Sequence, residues 1–409
     1  MNPPGRRTAG QWLRGCGALI VCVALFLFAK QVRAFQEPGA GTFATPPAQS
    51  PQLIPRTHAE REQRFLNQHR IILNVQVNDP SGKPSSNLTQ ADFTLFDNDQ
   101  PRKLVAFSPM KGDSAPAPPH VIVVLDTVNN FSRSVRSDEK ELEKFLKEGE
   151  GPLAYPVSIG VLSGARIDMG EASRDRDVLL ADLKLRAGDL HSTGCLTAHD
   201  ESEGALAKTF GGMAGGGFRG ESAQMLTCLN SRFIYSLMAL RDLAEAQVDV
   251  PGRVILIWIG PGWPQLTNRS FTPDPPEVKQ SFFAQLVTLS TVLREAQVTV
   301  NAVASPQDLP FPQAPMDDSF FGGIVHEDQV RAGNLGLHAL AHQTGGRIVT
   351  YVSGMATQIR DCISEAASYY VLTFDAPPAA GFGEYHSLAV KVDKPGLEVR
   401  SNTVYYAEQ

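Results

Sequence analysis

Val121-Ile122-Val123-Val124-Leu125-Asp126 is an aliphatic run of five residues without a polar interruption, closed by an acid. A strand with one wet face alternates apolar and polar residues. An unbroken apolar run is what a central parallel strand needs when both of its faces are covered. Similar strands are expected at Val157 to Leu162, Val254 to Ile259, Val298 to Val303 and, shorter, Arg347 to Thr350, with an edge strand at Arg166 to Met169. Helical periodicity fills the intervals. One helix is expected to start with Ser137 as cap, to carry Asp138 and Glu139 in its first turn, to bury Leu142, Phe145 and Leu146, and to stop at Gly149. A second, about Asp175 to Arg186, buries Val178, Leu179 and Leu183. Others run from Met225 to Ala246, from Pro275-Pro276 through Phe282, Phe283, Leu286 and Leu293, from Leu335 to His342, and through Ile359 and Ile363. Buried strands alternating with helices imply an α/β unit, a doubly wound and mostly parallel sheet over residues 118–367. Residues 188–222, which include Gly211-Gly212 and Gly215-Gly216-Gly217, break the alternation and read as an insertion.

On either side of this unit the period changes to two. Ile72, Asn74, Gln76 and Asn78 alternate with Leu73, Val75 and Val77, the pattern of a half-buried strand. A turn at Asp79 to Lys83 follows, then Phe93 to Phe96, a tight turn at Asp97-Asn98-Asp99, and a strand at Lys103 to Phe107. Pro109 to Pro119 reads as a hinge. After Tyr369 the alternation returns at Tyr370, Leu372 and Phe374, at Leu388, Val390 and Val392, and at Leu397, Val399 and Tyr405-Tyr406. A lone hairpin buries too little to stand alone, so residues 67–110 and 368–409 are expected to pair into one small β-domain, with the α/β unit inserted between them.

The first 34 residues read as an export signal: Arg6, Arg7 and Arg14, an apolar run from Ala18 to Ala29, and Val32-Arg33-Ala34 as a small-residue cleavage pattern. An uncleaved anchor is the alternative, with Lys30 and Arg33 reaching the interface. Residues 35–66, mainly Pro, Gly, Ala, Ser, Thr and Gln at first, read as a flexible linker. Removing the five positive charges of the signal takes the formal net charge from −6 to −11. An acidic chain with no basic run argues against a nucleic-acid partner. Of the cysteines outside the signal, Cys195 and Cys228 form the expected disulfide across the Gly-rich excursion, and Cys362 is expected as a buried thiol.

The flanks carry a resemblance. Asn78-Asp79-Pro80-Ser81-Gly82-Lys83-Pro84, Leu88-Thr89-Gln90-Ala91-Asp92-Phe93 and Asp97-Asn98-Asp99-Gln100-Pro101 resemble the entry segment of the VWFA-related proteins characteristic of Acidobacteria. Tyr369-Tyr370-Val371-Leu372, Gly396 to Arg400, Tyr405-Tyr406 and Thr344-Gly345-Gly346-Arg347 are similar to the rest of that family's pattern, so the resemblance spans roughly residues 67–409. It implies a von Willebrand factor A-like fold, an exported protein, and binding of a protein or ligand, in the wider fold often through a divalent cation.

That cation site, in the family, uses Asp-x-Ser-x-Ser at the first strand's exit, a Thr from a neighbouring loop and an Asp after the fourth strand. Here the first motif reads Asp126-Thr127-Val128-Asn129-Asn130, the fourth strand ends in Gly260-Pro261-Gly262-Trp263-Pro264, and only Thr227 lies near the third position. One carboxylate and an amide make a poor cage for Mg²⁺, which prefers octahedral oxygen ligation. The expectation is therefore a degenerate site with no cofactor, Asp126 and Asn130 being the weak candidates for Mg²⁺. Asp126 instead would bind amides of its own turn. The loops holding Asp126, Thr127, Asn129, Asn130, Gly260 and Trp263 are expected to persist as a contact surface, with Trp263 as aromatic anchor or, equally, as core.

Other constellations are weaker. His338 and His342 share a helix face at zinc-ligand spacing, but Ala339 stands where a zinc protease carries Glu. The glycines of Gly211 to Gly220 lack a following Gly-Lys-Ser/Thr, and no Gly-x-Ser-x-Gly elbow occurs. The expected function is a non-catalytic, exported binding protein, periplasmic or secreted, with a protein or cell-envelope partner and membrane contact only through an uncleaved N-terminal segment. A structural role in envelope assembly is the alternative, ahead of a cation-dependent adhesin or a hydrolase.

Overall fold

Among the described residues, four strands precede the long apolar one: β1 (Arg70–Asn78), β2 (Phe93–Asp97), β3 (Gln100–Arg102) and β4 (Ala106–Lys111). The computed structural model describes residues 69–111, 117–187, 223–263, 276–305, 318–351 and 354–407, all within the unit His58–Gln409. The central unit runs β5 (His120–Asp126), α1 (Ser132–Lys147), β6 (Val157–Ser163), β7 (Arg166–Met169), α2 (Arg176–Ala187) and α3 (Ala223–Glu245). It continues with β8 (Val254–Ile259), α4 (Pro276–Glu295), β9 (Val298–Ala304), α5 (Leu337–Gln343), β10 (Ile348–Thr350) and α6 (Met355–Ser364). β11 (Ser368–Asp375), β12 (Glu384–Val392), β13 (Glu398–Arg400) and β14 (Val404–Ala407) close the chain.

The central sheet has the order β10-β9-β8-β5-β6-β7, parallel throughout except for β7 at the edge. From β5 the chain moves outward to β6 and β7, then returns to β5's other side with β8, β9 and β10, which makes the sheet doubly wound. Its central strands are buried along their length, because helices cover both faces. Leu142, Phe145, Leu179, Leu183, Ile359 and Cys362 of α1, α2 and α6 pack on one face; α3, α4 and α5 bring Leu240, Leu286, Leu293 and Leu340 to the other.

The ends of the chain form two further sheets, β13-β1-β11-β4 and β14-β12-β2-β3. Ile71, Leu73, Val75, Leu372 and Phe374 of the first meet Phe93, Leu95, Leu388 and Tyr405 of the second in one core. The small β-domain is thus built from both flanks, β1 pairing antiparallel with β11 and β2 with β12. Period two divides the closing tyrosines: Tyr405 enters this core, while Tyr406 packs with the α/β unit and accepts the N–H of Ile324 at 3.0 Å.

Several sequence expectations are corrected. The helix expected from Ser137 begins at Ser132, with Phe131 at the cap position and no side-chain cap, and Asp138 turns inward. Val178 is more than half exposed, while Leu179 and Leu183 form the buried stripe. Asn98 and Asp99 both have positive φ, as a two-residue hairpin loop requires, so the partner strand resumes at Gln100 rather than Lys103. Residues 106–111 join β11 instead, and Pro109, expected in a hinge, sits in this edge strand, where a missing N–H is tolerated. β1 is half-buried only at its start. From Leu73 onward both faces are covered, since Gln76 meets Arg253 and the start of β11, and Asn78 accepts from Gln76, rather than facing solvent.

Candidate functional site

Leu125 and Ile259 lie opposite each other in the parallel β5–β8 pair, so Asp126 and Gly260 leave the sheet side by side. This is the switch point of the sheet, the place where doubly wound folds hold ligands. The sequence candidates do converge here, and they are buried: Asp126, Thr127, Asn129, Asn130 and Trp263 are each exposed by 4% or less. The expectation of an open contact surface is therefore corrected.

The Asp126 carboxylate is enclosed by N–H groups. Its Oδ1 accepts from the backbone of Val128 at 3.0 Å and of Asn129 at 2.8 Å; its Oδ2 accepts from Asn129 Nδ2 at 2.8 Å and from Trp258 Nε1 at 2.9 Å. A short acid at the end of a strand closes such a turn on itself. Burial raises the Asp126 carboxyl on balance, although the Asn129 and Trp258 hydrogen bonds and the charge of Arg232 pull it down. With each oxygen already accepting two N–H groups, no lone pair is left for a proton, and we read the group as a carboxylate.

Arg232 comes from α3. It is buried, its Nη2 donates to the Asn129 carbonyl at 2.5 Å, and burial lowers its pKa to about 10 against the opposing charge of Asp126. One turn on, Ser236 Oγ accepts from Asn129 Nδ2 at 2.8 Å and donates to the Arg232 carbonyl at 2.8 Å. Beside them, Asn130 Nδ2 donates to Asp138 Oδ2 at 2.8 Å and Tyr351 OH donates to Asp138 Oδ1 at 3.0 Å. Thr127 Oγ1 donates to the Leu162 carbonyl. Val128 points into the apolar core.

These residues do not fit a divalent cation. The Asp126 oxygens face donors, Asn130 Oδ1 accepts the Phe131 N–H at 3.1 Å, and Val128 and Gly260 offer no ligand. Asn129 Oδ1 is left without a partner, but one amide oxygen near a guanidinium is no cage for a positive ion. Thr227 falls on α3 where side chains lie outside the described residues. Among the described residues no group of three or more His, Cys, Asp or Glu side chains is placed to hold a metal.

Of the two readings of Trp263, aromatic anchor or core, the structure takes core. Its Nε1 donates to the Leu335 carbonyl and its ring stands edge-on to Trp258 with centroids 5.3 Å apart. His338 is buried and its pKa falls to about 4, whereas His342 is exposed and stacks on Phe321, so the two do not share a site. Cys228 is disulfide-bonded; Cys195, its expected partner, and the Gly211 to Gly220 run lie outside the described residues. Cys362 is a free, buried thiol pushed up to about 12 by burial, which keeps it protonated and inert. Arg232, Ser236, Asp138 and Tyr351 were not anticipated. Arg232 and Ser236 share α3's buried stripe with Phe233, Leu237 and Leu240, and polar residues one turn apart on such a stripe signal a buried partner.

Fold and site together define a doubly wound, mostly parallel α/β protein whose strand-exit carboxylate is held by the chain's own N–H groups. No protein family and no curated protein matches the chain. Among solved structures it is similar to the human COPII-coat protein Sec24c, at 12% identity and a TM-score of 0.34, over 73% of this chain and 45% of that one. It is also similar to manganese-loaded Plasmodium vivax TRAP, at 8% identity and a TM-score of 0.29, over 72% of this chain and 96% of that one. The chain thus spans less than half of Sec24c. At these scores the architecture rests on strand order rather than on the neighbours.

Proposed function

We propose that this chain is an exported, non-catalytic binding protein of the VWFA-related kind characteristic of Acidobacteria, and that it recognises a protein or envelope component without a divalent cation. The observation that carries the reading is the Asp126 carboxylate, both oxygens of which accept the chain's own N–H groups. An ion-dependent adhesive contact needs those oxygens free and open to solvent. Here they are neither, so contact with a partner falls to the outer surface of the helices and of the flanking sheets. The N-terminal pattern of Arg6, Arg7 and the apolar run to Ala29 supports export, with the chain either cleaved after Ala34 or held by that segment.

The test is cross-linking of the purified protein to an envelope fraction, in EDTA and again in Mg²⁺ or Mn²⁺, followed by identification of the adducts. The same adducts are expected under both conditions. Adducts formed only with the cation would overturn the cation-independent reading, and turnover of ester or peptide substrates would overturn the non-catalytic one.

A further inference from the structure

We propose that Arg232 is a built-in cation: its guanidinium supplies, from within the chain, the positive charge that the Asp126 carboxylate would otherwise need from a bound ion. The inference goes beyond the proposed function and stands whatever the protein binds.

Three observations carry it. Asp126 lies at the switch point with 2% exposure, too deep for water to screen its charge. Arg232, itself 7% exposed, comes from α3, a different element, and binds the carbonyl of Asn129, the residue whose N–H groups hold that carboxylate. The link between them runs through Asn129. Arg232 Nη2 holds the Asn129 carbonyl, and Ser236, on the same face of α3, accepts the Asn129 side-chain N–H whose other hydrogen goes to Asp126. Helix α3 therefore fixes both the charge and the shape of the turn from Asp126 to Asn130.

An ion held by oxygen ligands comes and goes with its concentration. A guanidinium that keeps its proton at neutral pH does not, and it adds directional donors that a metal lacks. The consequence is a strand-exit loop locked in one state. Removal of the guanidinium would leave the Asp126 charge buried without it and the Asn129 carbonyl without its donor, while the Asp126 oxygens stay filled by the chain's own N–H groups.

The test uses four variants, Arg232→Met, Arg232→Lys, Asp126→Asn and the Arg232→Met/Asp126→Asn double, unfolded in urea with EDTA and with Mn²⁺. Arg232→Met is expected to raise the unfolding constant at least a hundredfold, in EDTA and in millimolar Mn²⁺ alike, and the unaltered protein gains nothing from Mn²⁺. Arg232→Lys, which keeps the charge, should lose less. In the double variant the unfolding constant should lie at least tenfold below the value expected from independent losses; if Arg232→Met does not fold at all, a folded double variant is the same result. Additive losses, equal damage from Lys and Met, or stabilisation of the unaltered protein by Mn²⁺ would each overturn the proposal.

Discussion

A Cβ placed on Gly260 would stand 2.8 Å from the Cβ of Asp126. The two strand exits are packed so closely at the switch point that the β8 side has room only for hydrogen, and its backbone there adopts φ of +135°. The position where the family resemblance places a second acid is thus closed by the fold itself as well as by the residue type. Gly260→Ala is expected to cost about 1–3 kcal/mol through backbone strain and overlap. Gly260→Asp should cost at least as much and bind no Mn²⁺. Urea midpoints and a Mn²⁺ titration check both, and tight Mn²⁺ uptake by Gly260→Asp would show that the site had room for a ligand after all.

The central strands were legible because an unbroken run such as Val121 to Leu125 has one economical explanation, burial on both faces. The pairing of the chain ends was legible for the complementary reason, that half-apolar strands at both termini need a common sheet. The hairpin after β2 shows where such reading stops. Asn98 and Asp99 mark the turn, yet the loop length sets the register, and apolar Leu104 to Phe107 drew the strand three residues too late. The site is harder still. Arg232 and Ser236 stand out as polar intruders on an apolar helix face, but the loop they meet is 103 residues away for Arg232, a relationship no local pattern encodes. Trp263 sits in a Gly/Pro-rich loop that suggests the surface, and only the Leu335 carbonyl, 72 residues on, reveals that its N–H is satisfied indoors.

His338 provides a pH test of burial. Its imidazole is held neutral by desolvation with a pKa of about 4, against 6.5 for the exposed group. A group whose folded pKa is lowered contributes its full stability above the unfolded value, loses it as pH falls from 6.5 towards 4, and changes nothing further below that. At 1.36 kcal/mol per pH unit the loss attributable to His338 comes to about 3 kcal/mol. His338→Gln, which cannot titrate, should therefore show a flatter decline of the urea midpoint between pH 7.5 and 4.5 than the unaltered protein. Parallel declines would mean that His338 takes up its proton in the folded state.

Arg253 is one tie between the β-domain and the α/β unit. It precedes β8, lies fully inside, donates Nη1 to Gln76 Oε1 of β1 at 3.1 Å and to the Glu365 carbonyl at 3.4 Å, and stacks its guanidinium over Tyr369 of β11 at 5.0 Å. Glu365, which answers its charge, is itself paired with Arg400 of β13 and Arg347. One cation of the α/β unit thus meets β1 and β11, and its loss leaves Gln76 Oε1 and the Glu365 carbonyl without this donor. Arg253→Met is expected to cost about 1–3 kcal/mol, the cost of buried acceptors left without a donor. Trp258 and Trp263 both lie in the α/β unit, so their fluorescence follows that unit while far-ultraviolet circular dichroism follows the whole chain. In the unaltered protein the two urea curves should coincide; in Arg253→Met they should separate, because a weakened junction lets the two parts unfold at different denaturant concentrations. Coincident curves at an unchanged midpoint would mean that apolar packing alone, without this buried guanidinium, couples the halves.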